Sequence, residues 1–270
     1  MASQHSVSTE RTFPPITEDL LRQSERIGPD AANIYRIDRT TVVKIGEHVR
    51  MAEAAAMRLV REKTSVPVPQ VFKAYMEAES NRGCIIMEYI EDAQHLDEAW
   101  ESCDDTQKKS LLAQLSKHFQ EMRRVSSRVI GSVDGTYCED QFFSDDPTAY
   151  GPFNSVDDFH QGLKDALRKR APTSWTEMVC RFIDLLPSQT EIALTHGDLA
   201  PRNILVRDAR IVAILDWEMA GFYPAYWEYV KTYCWPEWDS TWVQDGIIDE
   251  ILQPYTTELA SLLHAREIIW

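Results

Sequence analysis

Apolar residues recur along this chain in two rhythms. In the first ninety positions they come as short β-branched runs. Asn33 to Ile37 and Thr40 to Ile45 are separated only by Asp38 and Arg39, the spacing of a tight hairpin. One stretch keeps the other rhythm: Arg50 to Lys63 (RMAEAAAMRLVREK) sets Ala and Met at helical spacing without a breaker and predicts a helix. Pro67 and Pro69 then hold the chain extended, which leads into a strand near Val71. Cys84 to Ile90 (CIIMEYI) reads as a further strand.

Beyond Tyr89 the composition turns acidic and the helical rhythm takes over, so a domain seam is expected there, dividing residues 1–90 from 91–270. Leu111, Leu112, Leu115, Phe119 and Met122 predict a helix over 111–125. Further helices are expected at 156–170, 175–186, 225–234 and 244–264. Asn203 to Val206 and Ile211 to Leu215 read as two strands joined by Arg207 to Arg210. Residues 134–153 show no periodicity, and about twenty such positions inside a compact domain suggest a working loop, a candidate for substrate binding.

Charge adds a location. Residues 1–90 are balanced, so the whole net charge of −15 falls on 91–270. That surface disfavours nucleic acid and anionic membranes as partners and favours cations, although solubility explains most of it. No apolar run reaches membrane-spanning length, and Met1 to Glu10 is polar, so a cytoplasmic protein is expected. Five cysteines without a C-x-x-C pair argue for free thiols rather than a disulfide or zinc framework.

The densest chemical signal is THGDLAPRNILV, 195–206, followed by ILDWE at 214–218. Phosphoryl transfer needs little covalent help from a protein. It needs cations fixed on the phosphates and an acceptor aimed in line. Asp198 can receive or orient the acceptor's hydroxyl proton, while Asn203 and Asp216 offer hard oxygens that suit Mg²⁺. His196, two positions before Asp198, reads as a packed, hydrogen-bonded residue rather than a base.

On His196, Gly197, Asp198 and Asn203, which match H-G-D-x-x-x-x-N, and on the D-W of Asp216 and Trp217, the chain resembles the aminoglycoside phosphotransferase and choline kinase group. The resemblance runs from about Val42 to Lys231 and looks closest to fungal members carrying DWE followed by GFYPxYWEY. It implies an α/β (α+β) bilobal protein-kinase-like fold, with a small antiparallel-sheet N-lobe carrying one helix and a larger, mainly helical C-lobe. It also implies that ATP is the phosphoryl donor, with Mg²⁺, and that the backbone around Met87 to Tyr89 binds adenine. Lys44, at the end of a strand, matches the phosphate-pairing lysine, with Glu53 on the following helix as the group that steadies it. Glu62 is the competitor, on a face shared with Arg58 and Leu59.

Two departures stand out. ERIGPDAANIY, 25–35, contains a single glycine, Gly28, and so no G-x-G-x-x-G cradle. Glu218 follows Trp217 where protein kinases carry glycine, and it is either a further metal-shell or cationic-substrate contact or a surface residue. Ten aromatic residues between Trp217 and Trp242 either pack a core or line a cage for an ammonium group. Helical spacing of Tyr226, Tyr229 and Tyr233 favours packing. The expected protein is a kinase phosphorylating a hydroxyl of a small molecule, an amine-bearing one included. A protein kinase is disfavoured because HGD replaces HRD and no A-P-E follows Asp216. The glycine-poor loop leaves a catalytically inactive kinase-fold binding protein as the other rival.

Overall fold

The computed structural model describes residues 13–28, 33–143, 146–234 and 240–269. Met1 to Glu10, residues 29–32 of the glycine-poor loop, Trp235 and Trp238 lie outside them. Contacts divide the chain into two units: one is built from residues through Val49 together with Val71–Tyr89, the other from Arg50–Gln70 together with Ile90–Trp270.

The smaller unit is one antiparallel sheet. Its strands β1 (Glu25–Ile27), β2 (Ile34–Asp38), β3 (Thr41–Gly46), β4 (Val71–Met76) and β5 (Gly83–Glu88) lie in the order β1-β2-β3-β5-β4. The expected hairpin is β2 and β3, with Tyr35 opposite Val43 and Ile34 opposite Lys44. Central β3 is buried on both faces, which is why it reads as a nearly continuous apolar run rather than an alternation. Val43 and Ile45 join Leu21, Cys84 and Ile86 in a core on one face. Helix α1 (Glu18–Gln23) supplies Leu21, and Thr17 caps it by accepting from the Leu20 amide at 3.2 Å.

The larger unit holds the helix expected at 50–63, observed as α2 (Met51–Lys63). The extended stretch after it is tied into the same unit. The Pro67 carbonyl accepts from the Ile214 amide at 2.8 Å, and the Glu121 carboxylate accepts from the Ser65 amide and hydroxyl at 2.7 and 2.9 Å. These bonds join sequence neighbours of the small sheet to residues far along the chain, so the division into units departs from a single cut at residue 90.

After the short helix α3 (Leu96–Trp100), helix α4 (Asp105–Met122) starts six residues before the apolar pattern does. Asp104 and Gln107 form a capping box that opens it on a polar first turn. Later in the chain come α5 (Val156–Arg170), α6 (Ser174–Ile183) and α7 (Trp227–Cys234), each near its expected place. The helix expected over 244–264 is instead three: α8 (Thr241–Gln244), α9 (Ile247–Ile251) and α10 (Thr256–Ile269). Gly246, left-handed at φ 67°, ends the first, and Pro254 cannot continue the second.

Two smaller sheets finish the unit. Strands β8 (Ile192–Thr195) and β7 (Gly131–Ser132) flank β11 (Gly221–Pro224), and β9 (Ile204–Arg207) lies between β10 (Arg210–Ile214) and β6 (Gln94–His95).

The stretch expected to be a working loop has a different character. Cys138, Phe142, Phe143 and Tyr150 belong to the main core, beside Phe159, Tyr223 and Trp227. Asp140 is the pin: its carboxylate accepts from Lys231 Nζ at 3.1 Å, Trp227 Nε1 at 3.0 Å and the Phe142 amide at 3.0 Å. The Lys231 and Asp140 side chains are both fully buried. With two short 3-10 turns, Gln141–Phe143 and Pro147–Ala149, the segment is held by one satisfied buried carboxylate and by its rings.

Candidate active site

The site is built at the ends of two strand pairs. Strand β8 ends at Thr195, and the next three residues turn sharply. Gly197 lies at φ 82°, and a Cβ there would come 2.8 Å from the Met219 carbonyl oxygen, so the position requires glycine. Pro201–Asn203 then form one 3-10 turn, and β9 follows. A two-residue turn at Asp208 and Ala209, both with positive φ, returns the chain along β10, the twist a tight hairpin demands. The hairpin therefore returns the chain to where it began. The Leu215 amide donates to the Asn203 carbonyl at 2.7 Å, and Asp216 comes next. Asp216 itself sits at φ 62°, a conformation that aspartate tolerates and that tends to occur at functional sites.

Asp198 is 4% exposed and surrounded by donors. Asn203 Nδ2 donates to its Oδ2 at 2.8 Å and to its carbonyl at 2.9 Å. Both amide hydrogens of Asn203 are thereby committed to Asp198, and its Oδ1 is the atom it can offer a cation. Arg202 Nη2 donates to both carboxylate oxygens of Asp198, at 2.8 and 2.9 Å.

His196 is fully buried and structural, as its sequence position suggested. Its Nε2 donates to the Leu215 carbonyl at 2.8 Å, and its Nδ1 accepts from the Asp198 amide at 3.2 Å. One ring thus ties the start of the loop to the end of the hairpin. Trp217 stands against it edge-on, ring centroids 4.6 Å apart, and donates from Nε1 to the Ile214 carbonyl at 2.8 Å. The tryptophan of the D-W pair is an anchor for Asp216.

Beneath the loop lies a residue that the sequence reading passed over. Glu228, on α7, accepts from the amides of His196 and Gly197, the second at 3.2 Å. Burial raises its pKa above the usual carboxylate range, against the opposing pull of His196 and these amides. The signal for it was a lone carboxylate in an aromatic run, YWEYV. Arg202 was also passed over; its mark was a cation four residues after Asp198.

The remaining predicted residues fall in both units. Lys44 is 7% exposed on β3, sharing its sheet face with Val42 and their partners Ile85 and Met87. Tyr89, just past β5, donates its amide to the Thr40 carbonyl at 2.9 Å, and its ring lies 4.1 Å from the Arg36 guanidinium carbon. In the larger unit Glu53 is 2% exposed in the first turn of α2, whereas Glu62 is exposed and pairs with Lys63. The structure thus joins Asp198, Asn203 and the residue before Asp216 in one hydrogen-bonded set, and places Lys44, Met87 and Tyr89 on the small sheet.

The aromatic cluster packs. Trp217, Tyr223, Tyr226, Trp227, Tyr229, Tyr233 and Trp242 are all buried, and Tyr229 and Tyr233 donate their hydroxyls to Asp249. Glu218 is partly buried, and its charge reaches Glu139, which Arg50 contacts at 3.4 Å. Glu139 is raised in pKa, first by burial, while Arg50 pulls it down. All five cysteines are free.

Among the described residues, no group of three or more His, Cys, Asp or Glu is arranged to hold a metal alone. The oxygens of Asn203 and Asp216 still fit Mg²⁺, which as a rule takes one or two protein carboxylates and completes its shell with phosphate and water. No helix among these residues is long and apolar enough to cross a membrane.

The family model described as the phosphotransferase enzyme family (APH) matches residues 25–262, and the chain belongs to that family. Solved structures share the fold at low identity. The ternary complex of a thermostable mutant of aminoglycoside phosphotransferase APH(4)-Ia with ADP and hygromycin B aligns at TM-score 0.58 and 15% identity, over 87% of this chain and 78% of that one. The streptomycin–ATP–APH(2")-IIa ternary complex aligns at TM-score 0.59 and 17% identity, over 92% and 84%. A putative aminoglycoside phosphotransferase from Ralstonia eutropha aligns at TM-score 0.53 and 16% identity, over 85% and 67%. A search of curated protein sequences gave no match.

Proposed function

We propose that this phosphotransferase moves the γ-phosphoryl group of ATP to a hydroxyl of a small molecule, with amine-bearing acceptors the first class to test. The observation that carries the reading is the buried, doubly bonded pair of Asp198 and Asn203, with Asp216 delivered beside it by the hairpin.

Asp198 orients the acceptor hydroxyl and takes its proton. Asn203 fixes that carboxylate and, with Asp216, would hold Mg²⁺. Magnesium, when bound, neutralises charge on the phosphate oxygens. Lys44 is assigned the inner phosphates from its buried strand position and its order in the chain, with Glu53 steadying it, and the backbone from Met87 to Tyr89 is assigned the adenine. Use of ATP is supported by the ADP and ATP found in the two complexes of similar fold. An amine-bearing acceptor is supported by Glu218, two residues after Asp216, whose charge reaches that of Glu139, and by the hygromycin B and streptomycin of those complexes.

A panel of amino sugars, amino alcohols and neutral alcohols, scored by ATP consumption, tests the reading. Asp198→Asn should lose about 10²- to 10⁴-fold in turnover while nucleotide binding survives. Undiminished phosphorylation by that variant removes Asp198 from the mechanism.

A further inference from the structure

Arg202 is the feature the reading above leaves unexplained. It lies on the 3-10 turn between Asp198 and Asn203, and its backbone is fixed there: the Asn203 amide donates to Ala200, and His95 Nδ1 donates to the Arg202 carbonyl. Its side chain is 50% exposed, whereas that of Asp198 is 6% exposed. A single nitrogen, Nη2, reaches in to make both contacts with the carboxylate.

Orientation of Asp198 does not require it, because Asn203 already holds Oδ2 and the carbonyl of the same residue. Stability accounts for part of the contact, since Asp198 is buried and would lose a partner, and unfolding midpoints read that part separately. A guanidinium, however, carries five donors in one plane, so it has the capacity to hold a second anion beside the first.

We infer that Arg202 is a further catalytic residue, which grips Asp198 with one edge and the incoming phosphoryl group with another. The inference rests on the proposed reaction. In that step the acceptor's proton passes to Asp198, the acceptor oxygen forms the new bond to phosphorus, and the bond from phosphorus to the β–γ bridging oxygen breaks. The electron pair of that bond leaves with ADP. Throughout, negative charge stays on the three outer phosphoryl oxygens. A hydroxyl within hydrogen-bond reach of Asp198, attacking from about 3 Å, brings those oxygens within roughly 6 Å of the carboxylate that Arg202 already touches.

The test uses ADP, Mg²⁺ and fluoroaluminate, a planar mimic of the phosphoryl group in flight, with binding read by calorimetry on wild-type protein, Arg202→Met and Arg202→Lys. Fluoroaluminate should tighten ADP binding to wild-type protein. Arg202→Met should lose that gain by on the order of 100-fold while its affinity for MgADP alone stays within about twofold, and Arg202→Lys should recover part of it. Unfolding midpoints of the ligand-free variants check that they fold. Arg202→Met that keeps the full fluoroaluminate gain overturns the inference, and so does wild-type protein that binds MgADP but gains nothing from fluoroaluminate. Wild-type protein that binds no nucleotide at all instead sinks the reading of the site beneath it.

Discussion

Replacing Glu228 probes how the loop is held, because this buried carboxylate accepts from two successive backbone amides of that loop. Glu228→Ala leaves the amides of His196 and Gly197 buried without their acceptor. Each orphaned donor costs about 1–3 kcal/mol, so roughly 2–6 kcal/mol is expected, before any penalty for the space vacated. In a chain of this size about 2–4 °C of unfolding midpoint goes with each kcal/mol, which places the loss near 10 °C. Glu228→Gln keeps the shape and one acceptor oxygen but turns an NH₂ toward one of the amides, so about half of that loss is expected. A loop displaced by about an ångström can cost 10²-fold in rate, so Glu228→Gln should lose turnover by on the order of 100-fold. Ionisation adds a sign. Burial raises the Glu228 pKa above 4.5, so the folded protein holds that proton more tightly than the unfolded chain does. The resulting stability is fully present below about 4.5 and is lost as pH rises through the raised value. Glutamine has no proton to lose, so the stability of wild type over Glu228→Gln should narrow as pH rises from 4.5. Urea titrations at several pH values read that gap. A gap that widens with pH, or Glu228→Ala protein with wild-type midpoint and turnover, refutes the anchoring argument.

Two further outcomes are expected elsewhere. Asp216→Ala should lose the thermal shift that MgATP gives, which for a ligand at 100 Kd corresponds to about 2.7 kcal/mol, and an intact shift would remove Asp216 from the metal site. Lys231→Met should cost about 3–5 kcal/mol by urea unfolding, because it strands the fully buried Asp140 charge, and Asp140→Asn added to it should restore part of the loss. Equal stability of the single and double variants would mean that Asp140 is not held by that charge.

Most elements, and the chemistry that sits on short segments, were legible in the chain. The hairpin at Asn33 to Ile45, the helix at 50–63 and the H-G-D-x-x-x-x-N loop are local patterns, legible because period and spacing are properties of neighbouring residues. The tertiary structure alone decided what depended on residues distant in the chain. Glu121 and Ile214 tie residues 64–70 to the larger unit, so the unit boundary could not be read as a single cut. Asp140 meets Lys231 across ninety-one positions, which turns an aperiodic stretch from a suspected loop into core. Glu228 meets the amides of His196 and Gly197 from a helix whose pattern shows only packing. A buried polar group is defined by its partner, and the partner's identity lies in the fold rather than in the local run of residues.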